Sequence, residues 1–200
     1  MHVRNIQIRI AVTAIFLVAA IVLAWFQFRS PDRERSSLVK LGGVPPFHLI
    51  TDENKEFSDR DLRGHVTIVD FIFTNCAGPC PLMSGQVEQM QTATLENPDI
   101  RFLSFSVDPE TDTPDVLRSY GDRFGARSGK WTFLTGDKMK IYDLIRNGFH
   151  LAIEADSDAI AHSTKFVLLD KEASIRGYYD SGDDSVSAEL IHDARGLTRE

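Results

Sequence analysis

The sequence predicts an α/β fold of the thioredoxin-like type, carrying an extra N-terminal β-hairpin and preceded by one transmembrane helix. Two patterns predict the domain. Strand-like and helix-like apolar segments alternate along the chain in the order βαβαβαββα, and the only two cysteines, Cys76 and Cys80, follow directly on the first long apolar run, Val66 to Phe73. A third observation predicts the anchor: the 19 residues Ile10 to Phe28 carry no charge.

At a rise of about 1.5 Å per residue that segment would span roughly 28 Å, close to the hydrocarbon thickness of a bilayer. The apolar run continues through Ile21, Val22, Leu23 and Ala24 beyond the small residues Val18-Ala19-Ala20, and Trp25, Phe26 and Phe28 suit an interface, so a retained anchor is favoured over a cleaved signal peptide. Arg4 and Arg9 precede the segment while Arg29, Arg33 and Arg35 follow it, so charge counting alone does not orient it. A short leading tail is easily left in the cytoplasm. The expected location is therefore a bacterial cytoplasmic membrane, single-pass, with the C-terminal domain on the periplasmic or extracellular side. Residues 29–43 read as a charged, glycine-ended linker, and residues 44–200 as one domain of ordinary size.

Within that domain, Phe47 to Ile50 and the segment near Phe57 form a hairpin around Asp52-Glu53-Asn54. The buried strand and the cysteines follow, then a helix from Leu82 to Leu95 and a strand from Ile100 to Val107. Thr113 as N-cap and Pro114 as first residue open a helix that ends near Phe124, where Gly125 supplies the stop. Trp131 to Leu134 is a short strand, and Lys138 to Asn147 a helix stopped by Gly148. Lys165 to Leu169 and Ser174 to Tyr179 pair around Asp170-Lys171-Glu172-Ala173, and Val186 to Ala194 is the last helix, before Gly196.

Beyond residue 43 there are 27 acidic and 16 basic side chains. A surface with that excess of negative charge argues against nucleic acid as a partner. It suits a cationic protein or a metal cation, though an acidic face is more often simply solvated.

The cysteines stand four apart in Cys76-Ala77-Gly78-Pro79-Cys80. A bridge closing so short a loop removes little entropy from the unfolded chain, which makes it a poor staple. A strand that turns into a helix instead presents thiols to the positive end of the helix dipole, which favours the thiolate that binds metals and attacks disulfides. The bland alternative, two buried and inert cysteines, sits badly with Gly78 and Pro79. A thioredoxin-type oxidoreductase has two residues between its cysteines, not three. A peroxidase of this fold needs an upstream proline that is missing here. All eight prolines lie at or before Pro114, so the cis-proline ahead of the thioredoxin hairpin has no counterpart, and His162 stands in its approximate place.

His162 precedes the strand Lys165 to Leu169, which brings it to the edge of the sheet end that carries the cysteines. A lone histidine is usually a surface or satisfied residue. Opposite a dithiol it completes a soft set of two thiolates and one imidazole, suited to Cu(I) and able to hold Cu(II). Zinc would accept the same donors but normally takes a fourth, and there is no third cysteine. His48, His65, His150 and His192 read as strand-edge, turn or helix-surface residues, and His2 precedes the anchor.

The cysteine segment, Asp108-Pro109-Glu110-Thr111-Asp112-Thr113-Pro114, Leu134-Thr135-Gly136 and His162-Ser163 ahead of Phe166-Val167-Leu168-Leu169-Asp170 together resemble the Sco/SenC family, over roughly Gly43 to Tyr179. These are membrane-tethered thioredoxin-fold proteins implicated in assembling the binuclear copper site of cytochrome c oxidase subunit II. The resemblance implies that Cys76, Cys80 and His162 bind copper, as Cu(I) or Cu(II). It also implies that the dithiol reduces a disulfide in the target. Subunit II or another copper protein would be the partner, together with a thiol-disulfide reductant that resets the pair. Two positions depart from the family pattern: Ala77 stands where proline often follows the first cysteine, and Ala161 where aspartate often precedes the histidine. A carboxylate tuning the imidazole would then come from elsewhere, and Asp108, at the end of the neighbouring strand, is a candidate, although an Asp-Pro turn before a capped helix explains it structurally as well. Two other functions remain open from the residues alone: a membrane-tethered thiol-disulfide oxidoreductase and a redox sensor, neither transferring copper.

Overall fold

The structure is a computed structural model that describes residues 38–152 and 163–200. The predicted anchor, most of the predicted linker and His162 lie outside the described residues. Among those described, no helix is long and apolar enough to cross a membrane.

Eight strands form one sheet: β1 (Gly42–Gly43), β2 (His48–Thr51), β3 (Glu56–Ser58), β4 (Val66–Ile72), β5 (Ile100–Ser106), β6 (Trp131–Thr135), β7 (Lys165–Leu169) and β8 (Ser174–Asp180). Their order is β1-β8-β7-β4-β5-β6-β2-β3. β4, β5 and β6 are parallel, whereas β7 runs antiparallel to β4 and β2 antiparallel to β6. All seven residues of β4 are buried, because it is paired on both edges and covered on both faces. The predicted hairpin is present as β2–β3, its turn closed by Thr51, whose Oγ1 accepts the Glu53 and Lys55 amides at 3.2 and 3.1 Å.

Four helices complete the domain: α1 (Cys80–Ala93), α2 (Pro114–Arg123), α3 (Lys138–Asp143) and α4 (Val186–Leu197). Helix α1 packs on α4, and its Gln91 side chain donates to the Gly125 carbonyl and accepts the Arg127 amide, which ties it to the turn after α2. Gly125 takes the φ of 64° that a helix stop favours. On the other face of the sheet, Phe149 meets the ring edges or faces of Phe71 and Phe105 at centroid distances of 5.2 and 5.5 Å.

Helix α1 spans Cys80–Ala93 where the sequence reading has Leu82 to Leu95, and two further helix ends differ from that reading. The span Lys138 to Asn147 is an α-helix only to Asp143, and Leu144–Gly148 continues as a π-helical turn. In that turn the Phe149 amide donates to the Leu144 carbonyl at 2.8 Å, and Leu144, Ile145 and Phe149 are all buried. The last helix runs through Gly196 to Leu197, because Leu197 is itself buried and draws one more turn into the core. In addition, residues 38–43, at the end of the stretch read as linker, lie along β8: the Leu41 amide donates to the Ile175 carbonyl at 2.8 Å, and the Gly42–Gly43 pair makes the edge strand.

Arg176 on β8 locks this edge. Its guanidinium is buried, bonds Asp170 and Glu200 at 3.0 and 2.8 Å, and donates twice to the Leu38 carbonyl. Removing one member of a buried pair strands the other charge. Arg176→Met is therefore expected to lower unfolding stability by about 3 kcal/mol in urea titrations, because Asp170 is left buried without its cation.

Candidate metal centre

Strand β4 ends at Ile72, and a tight turn closed by the Cys76 amide on the Phe73 carbonyl, at 3.2 Å, delivers the first cysteine. Cys80 opens α1, with the Met83 amide donating to the Pro79 carbonyl at 3.0 Å. The two sulfurs thus stand at the carboxyl end of a central parallel strand, where an open α/β sheet holds its functional groups. Both are free thiols and both are buried. The Gly78 amide donates weakly to Cys76 Sγ at 3.4 Å.

The two thiols are unlike. Cys80 is pushed up to about 12, first by burial, then by its hydrogen bond with Cys76, with the carboxyl of Asp70 adding to the shift. The dipole of α1, expected to favour the thiolate, does not win at this position, because Cys80 is only 2 % exposed and loses more by desolvation than the helix terminus returns.

A polar cluster lies on the α1 face of β4. Asp70 is fully buried, with Oδ1 accepting Ser104 Oγ–H at 2.5 Å while Oδ2 has no hydrogen-bond partner, and Trp131 Nε1–H donates to Ser104 Oγ at 2.9 Å. Burial raises the Asp70 carboxyl to about 7. Ser84 and Tyr120 are hydrogen-bonded at 2.8 Å, and burial first, then the charges of Asp70 and Cys80, push the Tyr120 hydroxyl up to about 12. The charged letter inside the run Val66-Thr67-Ile68-Val69-Asp70-Phe71-Ile72 was the sequence signal for this cluster. The sequence reading passed over it.

The segment Asp108 to Pro114 reaches the cysteine turn through the carboxylate of Asp112, while the histidine for which Asp108 is a candidate partner lies outside the described residues. Asp112 is 0 % exposed and accepts the Thr74 amide at 3.2 Å, Thr74 Oγ1–H at 2.5 Å and Ser106 Oγ–H at 2.6 Å. Asp108 instead uses its backbone: its amide donates to Ser106 Oγ, and its carbonyl accepts the Thr111 and Asp112 amides. The same loop touches α3, where Tyr142 OH–H donates to the Val107 carbonyl and Lys138 pairs with Glu110 at 3.1 Å.

Among the described residues, no group of three His, Cys, Asp or Glu side chains is arranged to hold a metal ion. Cys76 and Cys80 are two soft donors at one end of the sheet. The antiparallel register Val69↔Val167 carries Lys165, where β7 begins, to the same end of the sheet as the cysteines. His48 is on β2, and His150 follows the π-helical turn with a φ of 53°.

A family model for SCO1/SenC matches residues 38–198. The SCO1 protein homolog of Bacillus subtilis is 30% identical over 159 residues, which covers 78% of this chain and 82% of the relative. The solved structure of BsSco, a member of the Sco family of cytochrome c oxidase assembly proteins in which a disulfide switch was identified, superposes with a TM-score of 0.72 at 29% identity, covering 81% of this chain and 97% of that one. Copper-bound ScoI of Arabidopsis thaliana gives a TM-score of 0.62 at 27% identity, covering 78% of this chain and 98% of that one.

The buried carboxyl of Asp70 has a readable consequence. Its folded value of about 7 lies above the ordinary 3.8, so the folded state holds the proton more tightly. Its stabilising effect is complete below about pH 4 and is lost as pH rises toward 7. Asp70→Asn keeps an acceptor for Ser104 and carries no charge. Its stability relative to the native protein should rise between pH 5 and pH 8, by on the order of 3 kcal/mol in denaturant melts. A difference that stays constant with pH would contradict this account of Asp70.

Proposed function

The chain belongs to the SCO1/SenC family, and on that premise we propose that it carries copper on Cys76, Cys80 and His162 and assists assembly of the binuclear copper site of cytochrome c oxidase subunit II. One observation carries this reading: two reduced sulfurs, four residues apart, are held together at the functional end of the sheet with no disulfide between them. Thiolate donors select soft ions, and Cu(I) is the ion such a pair holds best. Copper-bound relatives of the same fold support that choice, and the oxidase-assembly role of BsSco supports the acceptor. His162 is proposed as the third donor because the strand that follows it starts at the cysteine end of the sheet.

The copper ion is cargo, taken up and passed on by ligand exchange. Cys80 is held protonated up to about 12 and must release that proton when it binds the ion. From this sulfur alone, the dissociation constant for Cu(I) should fall ~10-fold for each unit of pH between 6 and 8.

A second reading is favoured by the pairing of two free thiols four residues apart at one end of the sheet. In that reading the apo dithiol attacks a disulfide of the target, the target receives two electrons and two protons, and Cys76 and Cys80 are left as a disulfide. Copper loading and oxidation exclude one another, since the bridge removes both sulfur donors. Anchorage in a bacterial cytoplasmic membrane through residues 10–28, with the domain on the outer side, is part of the same proposal.

His162→Ala separates the two roles. Titration with Cu(I) against a chromogenic competitor should show an affinity loss of at least tenfold, while reduction of a model disulfide continues at the native rate. Undiminished copper affinity in the variant would remove His162 from the site, and a protein reducing disulfides without binding copper would leave only the oxidoreductase.

A further inference from the structure

Asp112 gathers three donors into one buried carboxylate. Two come from Thr74, two residues ahead of Cys76, and the third is the hydroxyl of Ser106 at the end of β5. A charge with no exposure is tolerated only where its hydrogen bonds are made, and bonds to an ionised group are about twice as strong as neutral ones. The carboxylate therefore pins the turn Phe73–Cys76 to the neighbouring parallel strand. Cys80 is fixed separately, as the first residue of α1. The two sulfurs are thus carried on independent supports, one on a helix and one on a turn.

We propose that Asp112 is the positioning residue of the dithiol, acting through Thr74 to hold Cys76 in the open, reduced arrangement and against closure of the Cys76–Cys80 disulfide. This rests on the reading of Cys76 and Cys80 as the working sulfurs. Closing the bridge brings the two Sγ atoms to about 2.05 Å. Cys80 sits in a helix with its side chain buried, so closure falls on the turn, and Thr74, two residues from Cys76 and bonded to Asp112, is displaced with it. The three bonds favour the thiols over the disulfide to the extent that they stretch in the oxidised form. In the exchange itself, the two thiols give two electrons and two protons to an external disulfide, whose sulfur–sulfur bond breaks as the Cys76–Cys80 bond forms.

The test uses isosteric substitution and a glutathione redox buffer, without copper. Thr74→Val deletes one donor to Asp112 and keeps the side-chain volume, whereas Thr74→Ser restores the hydroxyl. The equilibrium constant for oxidation by glutathione disulfide should rise on the order of tenfold in Thr74→Val, because a bond to a charged acceptor that opposed closure is gone. It should return to within twofold of native in Thr74→Ser. Ser106→Ala removes the donor from β5 and should shift oxidation in the same direction, which keeps the test alive if Thr74→Val does not fold. Ile175→Val, a mild core change on β8, should leave the equilibrium constant at its native value. An unchanged constant in both donor deletions overturns the assignment, and so does a shift reproduced by Ile175→Val. Failure of the copper reading shows elsewhere, as absence of Cu(I) binding by the native protein with the redox shifts intact.

Discussion

The complete burial of β4 places every functional group of this domain. A strand paired to β5 on one edge and β7 on the other, with helices over both faces, cannot slide by one residue without driving its whole apolar set into the wrong layer. Its end is therefore a fixed point, and the chain leaves that point directly into the turn that carries Cys76. The parallel register also sets Ile72 opposite Ser106, so the loop after β5 emerges beside the cysteine turn. That adjacency is what allows Asp112 to reach Thr74. The antiparallel register with β7 brings a third segment to the same end.

Burial on this scale leaves little room for polar groups, and several of those present, Asp70, Ser84, Ser104, Ser106 and Asp112, surround the dithiol. Asp70 lies one position from Phe71, so the two side chains face opposite sides of the sheet. Phe71 joins Phe105 and Phe149 in an aromatic layer under the π-helical turn. Asp70 faces α1, where Ser104 and Trp131 supply one chain of hydrogen bonds and one oxygen stays without a partner. The effect on the site is electrostatic: burial raises the Asp70 carboxyl to about 7, and its charge adds a small part to the rise of Cys80, which burial and Cys76 dominate. Cys80 is thus a sulfur that resists ionisation, and the Gly78 amide is directed at Cys76.

The strand order was legible because its signals are local. Valine and isoleucine in β4, the Asp52-Glu53-Asn54 turn and the Thr113-Pro114 helix start each act within a few residues. The break of the helix after Asp143 was not, because it answers to the packing of Leu144, Ile145 and Phe149 against a sheet whose residues are distant in sequence. The extension through Gly196 has the same cause. The cysteines were legible from the sequence as a pair at the end of a buried strand, from their spacing and from the apolar run ahead of them. The carboxylate beneath the turn was not. Asp108 and Asp112 stand in one short motif, and only the three-dimensional path of the loop shows which is turned inward to meet Thr74 and Ser106.

The three-residue spacer acquires a physical meaning from these supports. With two intervening residues, both cysteines would share the first helical turn and move as one body. With Ala77, Gly78 and Pro79 between them, Cys76 stays on the turn after β4 while Cys80 belongs to the helix, and the link between them contains one residue without a side chain. Passing an ion from one protein to another requires that its donors be released one at a time, because losing all of them together would leave a bare ion in a site from which water is excluded. A pair whose members are anchored to different elements can do this. The sulfur on the turn can move toward a competing donor while the sulfur on the helix keeps its place. The same independence lets the pair close into a disulfide when no ion is present. In the proposed function, the balance between carrying metal and exchanging electrons would be set by how firmly the turn is held to β5, and the residues that hold it are Asp112, Thr74 and Ser106.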